Sequence, residues 1–118
     1  MAWRLMQYNQ AFNRLWAECT EEMRDSIRPR LSVVLARGNQ AGPPITEPLG
    51  DGLFEVKARS GRVRIRLLFG YLPRQHIVFV WGGTKDQRRL PPATIRRARE
   101  LLIEAQASFE VLDVVRFN

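Results

Sequence analysis

Residues 53–69 read LFEVKARSGRVRIRLLF. Two runs of strict alternation flank Ser60 and Gly61, which predicts a β-hairpin closed by a two-residue turn at those positions. Side chains point alternately to the two faces of a strand. One face therefore carries Phe54, Val56, Ala58, Val63, Ile65, Leu67 and Phe69, and the other Glu55, Lys57, Arg59, Arg62, Arg64 and Arg66. The apolar set belongs against a core. A Ser60-Gly61 turn sets Arg59 opposite Arg62, Lys57 opposite Arg64 and Glu55 opposite Arg66. Like charges directly opposite one another are destabilising, so folding alone gives no reason for this row. A polyanion bound on that face does.

The wider charge distribution agrees. The 118 residues carry 19 Lys/Arg and 12 Asp/Glu, a formal net charge of +7. Residues 57–99 hold twelve Lys/Arg against one acid, Asp86, while the remainder is net acidic. Such asymmetry points to nucleic acid or to an acidic protein partner. A composition 45% hydrophobic and 26% charged is that of a folded, soluble chain, and its length suits one domain over 1–118. No apolar run approaches the ~20 residues of a membrane-spanning helix. The opening MAWRLMQYNQ lacks the apolar core of a secretory signal. The expectation is a cytoplasmic protein with no membrane partner. A single cysteine, Cys19, excludes an internal disulfide, and with a single histidine, His76, it argues against zinc. No metal and no cofactor is expected.

Outward from the hairpin, residues 2–8 read as a first strand and Asn9 as a helix cap. Phe12, Leu15, Trp16, Cys19 and Met23 recur at helical spacing. Thr20 followed by Glu21 and Glu22 suits a second helix start. Ile27, Leu31, Val34 and Leu35 extend the apolar stripe, with Pro29 either opening or kinking a helix and the break between Cys19 and Pro29. Gly38 is a stop. Residues 38–48, GNQAGPPITEP, read as a loop. Tyr71–Gln75 is a second turn. His76–Trp81, apolar on both faces, is a central strand ended by Gly82-Gly83. Pro91 and Pro92 enter a helix with Ile95, Ala98, Leu102 and Ala105 on its apolar side and Arg96, Arg97 and Arg99 on its basic side. Residues 109–118 form a tail or an extra strand. The order β-α-α-β-β-β-α makes an α+β fold with a largely antiparallel sheet, helices on one face and the basic row on the other.

Several of these segments resemble a known family. L-G-D-G-L-F-E-V-K-A-R-S-G at 49–61, R-V-R-I-R-L-L-F at 62–69, H-I-V-F-V-W at 76–81, T-K-D-Q-R-R-L-P at 84–91 and I-R-R-A at 95–98 are similar to toxins of the RelE/ParE superfamily, from bacterial type II toxin–antitoxin pairs. Within it the chain looks most like the phage-derived HigB-like branch. The resemblance implies a RelE-like, microbial RNase-type fold and an endoribonuclease (mRNA interferase) acting on mRNA at the ribosome. It also implies inhibition by a cognate antitoxin, commonly a helix-turn-helix, HigA-like protein. The family's basic strand residues match Lys57, Arg59 and Arg64, with Arg66 one small alignment shift away. The basic loop after the last main strand matches Lys85 and Arg88. Several nuclease members place a Tyr or His near the start of the last helix or in the tail; here Leu90-Pro91-Pro92 stand in the first region and the tail has neither type. ParE members act on DNA gyrase instead, which is the alternative: a non-catalytic basic binding module.

Cleavage of RNA by its own 2′-hydroxyl needs that hydroxyl deprotonated, the leaving oxygen protonated and the phosphorane charge stabilised. Arginine suits the third task, because its planar fork matches phosphate oxygens, and it is a poor base. Arg59 and Arg64 are therefore the expected phosphate holders. Lys57 and Lys85 are the only lysines and the expected proton carriers. Arg62, Arg66, Arg88 and Arg89 extend the RNA-binding surface, and Tyr71 beside the hairpin is a candidate to stack on a base. Glu55 is expected as a structural ion pair with Arg66, ionised and low in pKa. His76, Cys19 and the three tryptophans are expected to be structural.

Overall fold

The structure, a computed structural model, describes residues 3–85 and 88–118, and of Lys85 the backbone. The chain runs β1 (Arg4–Gln7), α1 (Ala11–Glu18), α2 (Glu21–Arg37), β2 (Thr46–Gly50), β3 (Leu53–Ser60), β4 (Val63–Leu72), β5 (His76–Lys85), α3 (Pro92–Ala107) and β6 (Asp113–Val114). One sheet forms in the order β2-β3-β4-β5-β1-β6, antiparallel except where β1 lies parallel to β5. None of the described helices is long and apolar enough to cross a membrane.

The helices start where local chemistry dictates. Thr20 caps α2: its hydroxyl accepts from the Met23 N–H at 3.2 Å. Glu21 and Glu22 sit in the first turn, where acids meet the positive end of the helix dipole. Pro29 lies inside α2, and the helix continues through it. Pro92 is the first residue of α3, the position where a missing N–H costs nothing. Asn9 does not cap α1; Gln10 holds that position, and both residues have positive φ.

Two layers of core cover the sheet. On one side α1 and α2 bury Phe12, Leu15, Ile27, Leu31 and Val34 against Val56, Ala58, Ile65, Leu67 and Phe69. On the other, α3 buries Ala98, Leu102 and Ala105 against Leu53, Leu68, Leu72, Val78 and Val80. Helices therefore lie on both faces, contrary to the expectation of one covered face. The reason is visible in β5: a strand apolar on both sides needs cover on both sides. It is central as expected, but it runs on through Gly82 and Gly83 to Lys85.

Two further corrections bear on the site. Residues 46–48, the end of the segment read as loop, join Leu49 and Gly50 in edge strand β2; an edge tolerates Pro48, which has no N–H to donate. The hairpin turns at Gly61-Arg62, not at Ser60-Gly61, because Gly61 takes the positive φ (+61°) the turn requires. Arg59 thus pairs with Arg64, Lys57 with Arg66 and Glu55 with Leu68. Moving the turn by one residue shifts each partner by two, so the strand side chains keep their predicted faces, while Arg62 leaves the row for the turn.

Candidate nucleic-acid interface

The ladder between β2 and β3 ends at the Thr46–Val56 pair. From Lys57 to Ser60 the sheet edge is open. Here Arg59 and Arg64 stand directly opposite one another, with Lys57 and Arg66 as the next pair on that face. The backbone of Lys85 pairs with Arg64 from the other side. The expected catalytic residues Lys57, Arg59, Arg64 and Lys85 thus share one end of the sheet at the level of the backbone. The Lys85 side chain and residues Asp86 and Gln87 lie outside the described residues.

Two adjoining cavities border this end. One, of about 490 Å³, is lined by Lys57, Arg59, Arg64, Glu47 and Pro44, with Ser26 and Arg30 contributed by α2. The other, of about 340 Å³, is lined by Lys57, Arg66, Arg88, Arg89, Glu47, Glu55 and three apolar residues. Lys57 and Glu47 belong to both, and their charged groups lie 3.8 Å apart.

The second cavity contains an inward charge pair. Arg66 Nε is 3.3 Å from Glu55 Oε2, and their side chains are only 4% and 9% exposed. Arg66 Nη2 donates to the Arg88 carbonyl at 2.8 Å, while Nε and Nη1 make no hydrogen bond among the described residues. The pair is close but imperfectly aligned. Burial pushes the Glu55 carboxyl above its ordinary value, and Arg66 and then Lys57 pull it only partly back. The expected ion pair exists, but the expected low pKa does not, because desolvation outweighs attraction. A carboxylate raised in this way is a better proton acceptor than an ordinary one.

Arg62 sits exposed in the turn; Arg88 and Arg89 are exposed beside the Arg66 cavity. Tyr71 does not face the basic row. It lies on the α1–α2 side, edge-on to Trp3, Phe54 and Phe69, with its hydroxyl donating to the Gly38 carbonyl at 3.4 Å. His76 begins β5 at the end opposite Lys85, against Pro73 and Phe109. Nine strand steps put it about 30 Å from the Arg64 end. Cys19 is buried in the core, which pushes its thiol pKa up.

Sequence reasoning missed Glu47 and Arg30. Glu47 was hidden in a segment that Pro and Gly mark as loop, with no alternation of apolar and polar residues to signal a strand. Arg30 lies on α2, whose reach to the sheet edge depends on tertiary packing.

A model of the family described as phage derived protein Gp49-like (DUF891) matches residues 14–102. The chain belongs to this Gp49-like family. The family is RelE/ParE-like and belongs to the toxin–antitoxin context. No curated protein matches the chain. The matched span runs from α1 through most of α3 and includes every cationic residue of both cavities. The six-stranded, mostly antiparallel sheet with three helices is compatible with a RelE-like fold.

Proposed function

We propose that this Gp49-like protein is the toxin of a type II toxin–antitoxin pair, of the HigB-like branch, and that it cleaves translated mRNA at the ribosome as an endoribonuclease. The observation that carries the reading is the directly opposed Arg59–Arg64 pair at an open sheet edge, flanked by Lys57 and by two carboxylates, Glu47 and Glu55. Edge charges also discourage pairing with another chain. That explains Lys57 or Arg59 but not Arg64 and Arg66, which lie on an interior strand.

In this reading Arg59 and Arg64 hold the scissile phosphate and stabilise the charge that builds on it. Lys57 and Lys85 are the candidates for carrying protons, and Glu55 joins them through its raised pKa. Arg62, Arg66, Arg88 and Arg89 bind flanking RNA. A helix-turn-helix, HigA-like antitoxin inhibits the toxin in the cytoplasm, its acidic segment covering part of the basic face.

The distance of His76 and the placement of Tyr71 favour one alternative, a non-catalytic module of the gyrase-directed kind. Mapping mRNA 5′ ends after brief expression separates the two. New ends within codons support the nuclease; DNA damage without such ends supports the alternative.

A further inference from the structure

Arg66 is out of place for a purely structural residue. Its side chain is 4% exposed, yet two guanidinium nitrogens, Nε and Nη1, have no hydrogen-bond partner among the described residues. Leaving a buried donor unmade costs free energy that natural cores avoid, so such groups mark an absent partner. Glu55 does not fill the role, because it meets Nε without hydrogen-bond geometry. The side chain lines a cavity of about 340 Å³. Of its charged lining residues, Lys57, Arg66, Arg88 and Arg89 outnumber Glu47 and Glu55 by two charges. The deficit is of negative charge and of acceptors, and a phosphate supplies both.

We propose that the Arg66 cavity is a second phosphate subsite, next to the Arg59–Arg64 pair, so that the protein grips two neighbouring phosphates of one RNA strand across the Glu47–Lys57 pair. The two cavities share that pair as a common wall. Arg66 makes the inner contact through Nε and Nη1, and the exposed Arg88 and Arg89 close the outer side. The proposal rests on the RNA-cleaving reading for its ligand, but not for the existence of the anion site.

The test uses the full chain and 2′-O-methyl ribodinucleotides, which cannot be cleaved. One carries only the internal phosphate; two others add a 5′ or a 3′ terminal phosphate. A terminal phosphate at one end is expected to tighten binding about tenfold, the effect of one charge-assisted contact. That gain should vanish in R88A/R89A, whose side chains are exposed and whose loss spares the Arg88 carbonyl that Arg66 uses. A gain of the same size in the double variant overturns the subsite. Inorganic phosphate, followed by the NMR signal of the Arg66 Nε–H group, separates the two claims. A shift with phosphate but no dinucleotide binding keeps the anion site and defeats the RNA reading. An unmoved signal, while mRNA cleavage in cells persists, defeats the subsite and keeps the RNA reading.

Discussion

Glu55 and Arg66 face each other across β3 and β4 at 3.3 Å, both withdrawn from solvent, but the carboxyl is pushed up in pKa instead of down. The contact is diagonal, since Glu55 is paired in register with Leu68 and Arg66 with Lys57. Two charges buried together gain attraction and lose hydration, and here the loss is larger for Glu55.

A pH dependence follows. The unfolded carboxyl titrates at about 4.3. Between that value and its higher folded value, the folded state holds a proton that the unfolded chain has released. Stability therefore falls as pH rises through this window and is flat with respect to Glu55 above it. Urea denaturation across the acid range should show this fall in the wild type and less of it in E55Q. Identical slopes in the two proteins would show that Glu55 titrates in the fold as it does in the open chain.

Opposed arginines separate function from stability. Arg59 is exposed and directly across from Arg64, so R59Q removes repulsion and should leave the midpoint of thermal unfolding unchanged or slightly higher, a gain within about 0.5 kcal/mol. The same change should lower mRNA cleavage by about 100- to 1000-fold, as for one lost donor to a charged transition state. R64Q should match it in activity. Growth arrest undiminished in both variants, with the proteins folded, would remove the phosphate-holding role.

Much of this arrangement was legible in the sequence, for a definite reason. A period of two cannot be mistaken along Leu53–Phe69, so the faces of the hairpin were fixed by alternation even though its turn was placed one residue early. The apolar stripe of α3 showed which residues it buries, but no stripe says which sheet face receives it. The doubly apolar β5 held that answer. The inward position of Arg66 was not legible, because strand alternation groups it with exposed arginines. Only the cover supplied by residues 88–90 and by Ile95 of α3 sets it apart.

The end of α2 is a tight backbone approach. Gly38 has φ +53°, and a Cβ built there would lie 1.9 Å from Cε2 of Trp3. The Trp3 N–H donates to the Leu35 carbonyl at 3.0 Å, which holds the first strand against this turn. Gly38→Ala should therefore cost about 2–4 kcal/mol, from the positive φ together with overpacking. Urea denaturation measures it. A loss below about 0.5 kcal/mol, the ordinary effect of a surface substitution, would mean that Trp3 swings away freely.

Salt should report how many cations the RNA engages. Binding of a single strand weakens with salt at a log–log slope of about −0.7 for each phosphate neutralised. One phosphate held in each cavity would give a slope of roughly −1.4 for a non-cleavable oligoribonucleotide long enough to span both cavities. Removing Arg59 and Arg64 together should reduce the slope by about 0.7, because the phosphate they share is then no longer neutralised. Arg62, at the tip of the turn, tests how far the strand extends along the edge: an unchanged slope in R62Q confines the RNA to the two cavities. A slope near zero in the wild type would mean that the basic face binds its partner without neutralising phosphates, which favours a protein target over RNA.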